Sequence, residues 1–318
     1  MKKFLLKILI YIALLTTIML SINFLYIHNK ADIDSDIEAF ANGVPDNIQI
    51  CNFGSSHGLY GFNYEDIEKK YTCFNFALSS QSLLYDYRIL LNYKNKIKKD
   101  SAVFIVISYF SFLGKPEIED KGFASKNRRY YKILPRDLIE QYDWETDAYV
   151  NYLPSLIATP GDLLKNILSL KLNKNNQWDK EADAPLAYKD AQEAYERHIV
   201  TDKIDKNGER IYRQEAFNAI YSVINLLKEI GARPIFITPP FLSEYTDAIK
   251  NNSPEFFSEF YSVVNEIVKN TEVKYYDYSD DKRFRNDYSL FINSDHLNRK
   301  GARKFTNILM CEVLGFSK

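Results

Sequence analysis

Residues 48–57 read IQICNFGSSH, an apolar run that ends abruptly in a glycine and three polar residues. The run Ile48–Phe53 is short, is rich in β-branched and aromatic residues and stops at a turn signal, which is the pattern of a strand. Gly54 lets the chain turn tightly directly after it. The segment therefore predicts a strand–turn–helix junction with its serines at the mouth of the turn.

Four further runs of the same kind follow, and helical patterns lie between most of them. The predicted strands are Tyr71–Ala77, Ala102–Ser108, Arg233–Thr238 and Val273–Tyr278. The predicted helices are Ser82–Ile97, Gln214–Glu229, Pro254–Lys269 and Arg299–Leu314. Strands that alternate with helices predict an α/β fold, a mostly parallel five-stranded sheet covered on both faces. Such sheets place their sites at the carboxyl ends of the strands.

The stretch from about 112 to 209 breaks this rhythm, and we interpret it as an insertion between the third and fourth strands. It is expected to be partly helical, over Pro160–Leu172 and Ala184–Arg197. Insertions at strand ends often cover an active site.

Before the first strand, residues 8–27 read ILIYIALLTTIMLSINFLYI, about 20 residues without a formal charge. That length is enough for a helix to cross a bilayer. Three lysines precede the run and four acidic residues follow it, which places the N-terminus in the cytoplasm and the body outside. The lysines are Lys2, Lys3 and Lys7, and the acidic residues are Asp32, Asp34, Asp36 and Glu38.

A cleaved signal peptide is the competing interpretation of this run, but the run ends in Phe24-Leu25-Tyr26-Ile27, and no A-x-A cleavage pattern follows directly after it. We therefore predict a cytoplasmic tail at 1–7, a retained transmembrane helix at 8–27, a linker at 28–46 and a globular domain at 47–318. The expected location is the cell membrane, with a single span.

The formal net charge of -1 gives no electrostatic argument for binding nucleic acid. The sequence shows no GxGxxG and no P-loop pattern. Its four histidines, His28, His57, His198 and His296, are too scattered to suggest a metal site. No cofactor and no metal are predicted.

Two short blocks carry the candidate chemistry. In 53–57, a serine at the strand–helix turn is exposed beside backbone N–H groups that stabilise an oxyanion; the alternative is that Ser55 or Ser56 caps the next helix. In 291–298, FINSDHLN, His296 is placed to act as a general base. The alternative there is a surface histidine that caps the terminal helix.

Taken together, these blocks resemble those of the SGNH/GDSL hydrolase superfamily over residues 48–110 and 233–315. That family has a flavodoxin-like α/β/α sandwich, a G-x-S block after strand one and a D-x-x-H block before the C-terminal helix. The resemblance implies that Ser56 is the nucleophile and His296 the base. It also implies an oxyanion hole formed by Ser56 and Ser80, the best match to a glycine that the family carries after strand two.

Substrate contacts are predicted from the neighbouring blocks at Asn75 and Tyr109. The family often has an asparagine after strand three, where this chain has Ser108-Tyr109-Phe110-Ser111. Arg128 and Arg129 in the insertion are candidates for an anionic glycopolymer or lipid headgroups, and the alternative is a solvated basic pair.

One position departs from the family pattern, because Asn293 and not an aspartate stands three residues before His296. Asn293 orients the imidazole, as an asparagine does in Cys-His-Asn proteases, or Asp295 takes that role, or the activity is weakened or lost. The residues alone leave these three readings open.

Anchored extracytoplasmic members of the superfamily modify cell-envelope polymers, among them the teichoic-acid D-alanylation protein and the acetylation proteins of alginate and peptidoglycan. The resemblance thus implies a serine-dependent O-acyltransferase or esterase that acts on a cell-envelope polysaccharide or lipid-linked glycopolymer. Its expected partner is a multi-spanning membrane O-acyltransferase. The alternative is a non-catalytic SGNH-like binding or scaffold module for such a system.

Overall fold

The strands of the protein pair into one parallel sheet in a computed structural model that describes residues 1–28, 37–116, 119, 127–161, 163 and 177–316. They are β1 (Ile48–Phe53), β2 (Cys73–Asn75), β3 (Ile97–Val106), β4 (Arg233–Thr238) and β5 (Lys274–Asp277). Their order, β2-β1-β3-β4-β5, is that of the flavodoxin-like doubly wound sheet. Helices cover both faces, so the predicted α/β/α sandwich is confirmed.

The helices follow the predicted rhythm closely. They are α1 (Lys2–His28), α2 (Glu38–Ala41), α3 (Ser56–Leu59), α4 (Leu83–Tyr93), α5 (Trp144–Asp147), α6 (Ala184–Tyr195), α7 (Gln214–Glu229), α8 (Ser243–Asn252), α9 (Phe256–Thr271) and α10 (Arg299–Glu312). Short 3-10 segments lie at Lys94–Lys96, Arg128–Lys132, Arg136–Leu138, Pro154–Leu156, Gln177–Asp179 and Tyr288–Leu290, and π-helical turns at Ala148–Tyr152 and Glu196–Val200.

Two strands, β1 and β4, match their predicted ends, because each is a short run, mostly apolar, that a turn signal follows directly. Strand β3 begins five residues before the predicted start, at Ile97. Residues 98–100, which follow Ile97, are exposed and polar, and the register with β1 shifts between Ile48 and Ile50. The pattern of apolar residues cannot detect a strand that begins with such a bulge.

The chain divides into two compact units. The larger consists of residues 43–123 and 175–318 and holds the sheet; the smaller consists of 1–42 and 124–174 and holds α1. Among the described residues, α1 is the one helix long and apolar enough to cross a membrane. Most of the predicted helix Pro160–Leu172, and residues 29–36 of the predicted linker, lie outside the described residues.

Gly54 fixes the turn from which the candidate site is built. Its φ is +138°, and a Cβ at this position would stand 2.8 Å from the Cβ of Val106 at the end of β3. Only glycine fits both the conformation and the close approach. The turn consequently delivers the two serines to the carboxyl ends of β1 and β3, where the strand order reverses and open α/β sheets bind their ligands.

Candidate active site

The two serines after Gly54 point in different directions. Ser55 is buried, and its Oγ lies 3.3 Å from the Oγ of Ser108. Ser56 is half-buried and opens α3, and its Oγ lies 2.8 Å from Nε2 of His296. Ser55 stands at the N-cap position without making a side-chain capping bond. Capping therefore does not explain either serine.

His296 lies in a tight loop between the 3-10 turn at Leu290 and helix α10. The loop closes on itself through Ile292 N to His296 O at 2.8 Å and Asn298 N to Leu290 O at 2.9 Å. Asn298 caps α10, since its Oδ1 accepts from Gly301 N at 2.9 Å. The alternative that His296 caps this helix is wrong, and its imidazole is left for Ser56.

Two acceptors stand behind the imidazole of His296. Its Nδ1 lies 3.1 Å from Oδ1 of Asn293 and 3.0 Å from Oδ1 of Asp295. An N–H faces these oxygens, so the network assigns the proton to Nδ1 and leaves Nε2 to accept from the Ser56 hydroxyl. This is the tautomer that a general base needs.

The two acceptors play different parts. Asn293 Oδ1 makes the directed hydrogen bond and also accepts from the backbone N of His296 at 2.9 Å. Asp295 Oδ1 is close to Nδ1 but lies off the N–H direction and makes no hydrogen bond of its own in the described structure. Asn293 thus orients the ring, and Asp295 places a negative charge beside it.

Asp190, on α6, sets the orientation of Asn293. Its Oδ1 accepts from Asn293 Nδ2 at 3.3 Å, and its Oδ2 accepts from Ser294 N at 3.2 Å and Ser294 Oγ at 2.7 Å. An ionised carboxylate only accepts, so the amide must turn its NH₂ toward Asp190 and its oxygen toward His296.

The other oxygen of Asp295 faces a second histidine. Its Oδ2 lies 3.1 Å from Nε2 of His57, whose Nδ1 lies 2.9 Å from the Oγ of Ser108. His198 Nδ1 stands 3.8 Å from the same Oδ2 and 2.8 Å from the Tyr245 hydroxyl. The side chains of His57 and Asp295 are fully buried, whereas that of His296 is 14% exposed.

This environment separates the charges of the site. Burial by itself would raise the pKa of Asp295, but the imidazole of His296 at 3.0 Å and the hydrogen bond from His57 hold that pKa well below its ordinary value. Burial lowers the pKa of His57 despite its bond to Asp295, and burial lowers the pKa of His198 further still. At neutral pH, Asp295 is therefore ionised while His57 and His198 are neutral.

The predicted neighbours of the site differ in their surroundings. The side-chain amide of Asn75 makes its hydrogen bonds within the protein. Its Oδ1 accepts from Asn52 and Ala77, and its Nδ2 donates to the carbonyls of Gly58 and Leu59. This network supports the turn of α3. Ser80 is exposed after β2, at a φ of +53°.

Tyr109 is buried in a cluster of aromatic rings that includes Phe241, Tyr245 and Phe260. Its ring therefore packs in the core behind the site. Arg128 and Arg129 belong to the smaller unit. Arg128 is exposed, and the guanidinium of Arg129 lies 5.1 Å from the ring centre of Tyr130. The substrate contacts predicted for Asn75, Tyr109, Arg128 and Arg129 stay predictions.

The fold brings together three histidines that are far apart in the sequence. Within the described residues, ligand atoms of His57, Asp295 and His296 all lie within 4.8 Å of one another, a grouping that could hold a metal ion. His57 and His296 each turn a protonated ring nitrogen toward Asp295 at hydrogen-bond distance. A metal ion bound between them would have to displace these two N–H protons. The arrangement as it stands fits proton transfer better than metal ligation.

The sequence matches no family model, and no curated protein matches it.

Sequence reasoning found the Ser56–His296 pair and missed His57, Ser108, His198 and Asp190. His57 carried a signal, because it directly follows the two serines in the block that was singled out. Asp190 and His198 lie in the insertion and gave no signal that connects them to residues 293–296.

Proposed function

We propose that this protein is an extracytoplasmic, serine-dependent O-acyltransferase or esterase that acts on a cell-envelope glycopolymer. The observation that carries the proposal is the 2.8 Å contact between Ser56 Oγ and His296 Nε2, with acceptors holding the proton on Nδ1. A nucleophile within hydrogen-bond reach of a base, and the base in turn oriented by a third group, is the general pattern of nucleophilic catalysis.

In the proposed reaction, Ser56 Oγ attacks the ester carbonyl of an acyl donor while its proton moves to Nε2 of His296. The imidazolium that forms lies beside the ionised Asp295, which stabilises its charge. The tetrahedral intermediate then collapses: the C–O bond to the leaving alcohol breaks, His296 gives the proton to that alcohol oxygen, and the acyl group stays on Ser56. Water or a polymer hydroxyl next attacks the acyl carbonyl while His296 takes its proton. The bond between the acyl group and Ser56 Oγ breaks, and His296 returns the proton to Oγ.

The tetrahedral oxyanion needs N–H donors near Ser56. The proposed donors are the backbone N–H groups of Ser56 and Ser80. Ser56 is the first residue of α3, and the first N–H groups of a helix have no partner within it. Ser80 belongs to the turn that follows β2, the neighbour of β1 in the sheet. Ser56 is also half-buried, so a substrate can reach it.

The polymer substrate and the location are proposed on the basis of α1 and of the resemblance to the SGNH superfamily. With Lys2, Lys3 and Lys7 on the cytoplasmic side, the catalytic unit would face the envelope. About 28 residues separate the end of the apolar run from Ser56, which favours a lipid-linked or membrane-proximal polymer over a freely diffusing ester. A multi-spanning membrane O-acyltransferase is the proposed source of the acyl group.

A turnover assay tests the proposal against the non-catalytic alternative. The full-length protein in detergent micelles is incubated with p-nitrophenyl acetate, beside Ser56→Ala and His296→Ala. We expect hydrolysis above the buffer rate that both variants lose. Background hydrolysis by the unmutated protein, together with no transfer of acetyl from this donor to any soluble polyol, would favour a binding or scaffold module.

A further inference from the structure

The smaller unit contains a polar contact that ties the insertion to the N-terminal helix. Asn23 lies within the apolar run of α1 and is 7% exposed. Its Nδ2 donates to Tyr152 O at 2.7 Å, and its Oδ1 accepts from Ser155 Oγ at 2.9 Å and from Ser155 N at 3.2 Å. The segment around 152–155 is therefore held against α1 at the level of Asn23.

That level is close to one end of the membrane-spanning run. Asn23 lies four residues before Ile27, which is about 6 Å along a helix. If α1 crosses a bilayer of about 30 Å of hydrocarbon, Asn23 lies near the boundary between acyl chains and headgroups. A side-chain amide that faces acyl chains without a hydrogen-bond partner is costly, and the backbone and hydroxyl of residues 152–155 provide partners for Asn23.

The same segment exposes large apolar side chains. Five of them, Trp144, Tyr149, Tyr152, Leu156 and Ile157, are each 40–70% exposed. Nearby polar groups bind one another, since Asp147 accepts from Asn151 at 2.5 Å and from the Tyr142 hydroxyl at 2.5 Å. Exposed aromatic and aliphatic residues on a polar scaffold are the composition that proteins place at a membrane interface.

We propose that residues 144–157 form a second membrane contact, inserted into the interface of the lipid bilayer beside the C-terminal end of α1. The occupant of this surface is lipid, because Asn23 of the membrane-spanning helix binds residues 152–155, so the exposed apolar side chains of the segment stand next to the lipid around that helix. The inference rests on α1 being a membrane span, as in the proposed function. It gives the insertion a role distinct from covering the catalytic site.

Tryptophan fluorescence tests this directly, since the chain has two tryptophans. The full-length Trp178→Phe variant, in which Trp144 is the sole emitter, is reconstituted into phosphatidylcholine vesicles with plain or brominated acyl chains. Bromine quenches tryptophan on contact. We expect Trp144 emission in brominated vesicles to be lower by about half or more than in plain vesicles. In plain vesicles, the emission maximum of Trp144 should lie at shorter wavelength than in the unfolded protein. Equal emission in the two kinds of vesicle would overturn the proposal.

Two further variants make the test specific to the Asn23 contact. Asn23→Leu removes the hydrogen bonds to the segment, and we expect Trp144 quenching to fall by at least a third. Thr17→Val is the matched control, because the Thr17 hydroxyl bonds to Ala13 O within α1, and it should leave quenching unchanged. Unchanged quenching in Asn23→Leu would show that the contact does not hold the segment at the interface.

Vesicle flotation separates failure of this inference from failure of the anchor. Protein that floats with vesicles but shows no Trp144 quenching has a working α1 and no second contact. Protein that does not float lacks the anchor, which overturns both the inference and the proposed location. The p-nitrophenyl acetate assay tests catalysis by Ser56 separately, because it depends on neither flotation nor Trp144 quenching.

Discussion

Asp295 stands between two serine–histidine pairs of nearly the same dimensions. On one side, Ser56 Oγ lies 2.8 Å from His296, whose other nitrogen lies 3.0 Å from Oδ1 of Asp295. On the other side, Ser108 Oγ lies 2.9 Å from His57, whose other nitrogen lies 3.1 Å from Oδ2. A serine–histidine pair thus occurs twice around one shared carboxylate.

The pairs differ in their exposure to solvent. Ser108 and the His57 side chain are 0% exposed, whereas Ser56 and His296 are half-buried. Of the two pairs, Ser56–His296 is the one that a substrate can reach. A buried imidazole such as that of His57 resists taking up the proton that a general base must accept. The buried pair instead holds Asp295 in position. Distances alone therefore do not identify a nucleophile, because solvent access and the cost of placing a charge on the imidazole also differ between the two pairs.

Replacement of the two serines should separate the pairs most strongly. We expect Ser56→Ala to lower hydrolysis of p-nitrophenyl acetate by roughly 10⁴-fold or more, because the nucleophile is gone. Ser108→Ala is the matched control, since it deletes the same hydroxyl from the buried pair, and it should keep the rate within about tenfold. Initial rates at saturating ester measure both. A larger loss for Ser108→Ala than for Ser56→Ala would reverse the assignment of the two pairs.

The next largest effect is expected at the two acceptors behind His296. Asp295→Asn removes the charge that stabilises the imidazolium, and we expect kcat to fall by roughly 10³- to 10⁴-fold, as for a triad aspartate. Asn293→Ala removes the orienting bond but keeps the charge, and a loss of about 10- to 100-fold is expected. Steady-state kinetics measures both variants. Equal losses would mean that the two acceptors do not divide the work as their geometry indicates.

The smallest effect concerns pH and stability. His57 and His198 have pKa values that are lower when folded than the ordinary value of 6.5. As pH falls below about 6.5, the unfolded chain binds protons that the folded chain does not, so the free energy of unfolding decreases. Urea midpoints at pH 7.5 and 5.5 measure this loss.

The double variant His57→Gln, His198→Gln tests the origin of that acid sensitivity. It should be less stable at pH 7.5, because buried hydrogen bonds are lost, but its urea midpoint should change less between the two pH values. An equal drop in midpoint for the variant and the unmutated protein would place the sensitivity elsewhere.

The sequence predicted those features that local patterns determine. The ends of β1, β4 and α7 match because apolar spacing and a following turn mark them. Helix α8 was not predicted, because SEYTDAIKNN has few apolar residues to show a period. The Ser56–His296 pair was predictable because parallel strands bring their carboxyl ends to one edge.

The remainder of the site depends on contacts between distant residues. Asp190 precedes Asn293 by 103 residues, and Asn23 precedes Ser155 by 132. Neither pair leaves a local pattern, since each residue would read as an ordinary polar side chain on a helix or loop. The choice between Asn293 and Asp295 also needed coordinates, because both residue types can accept from an imidazole and only direction separates them.

Serine-directed labelling tests the assignment of the open pair most directly. The full-length protein is treated with a fluorophosphonate, which forms a stable bond with an activated serine, and the modified peptide is located by mass spectrometry. We expect one adduct, on Ser56, that persists in Ser108→Ala and disappears in His296→Ala. An adduct on Ser108 or Ser55, or an unlabelled Ser56 in folded protein, would contradict it.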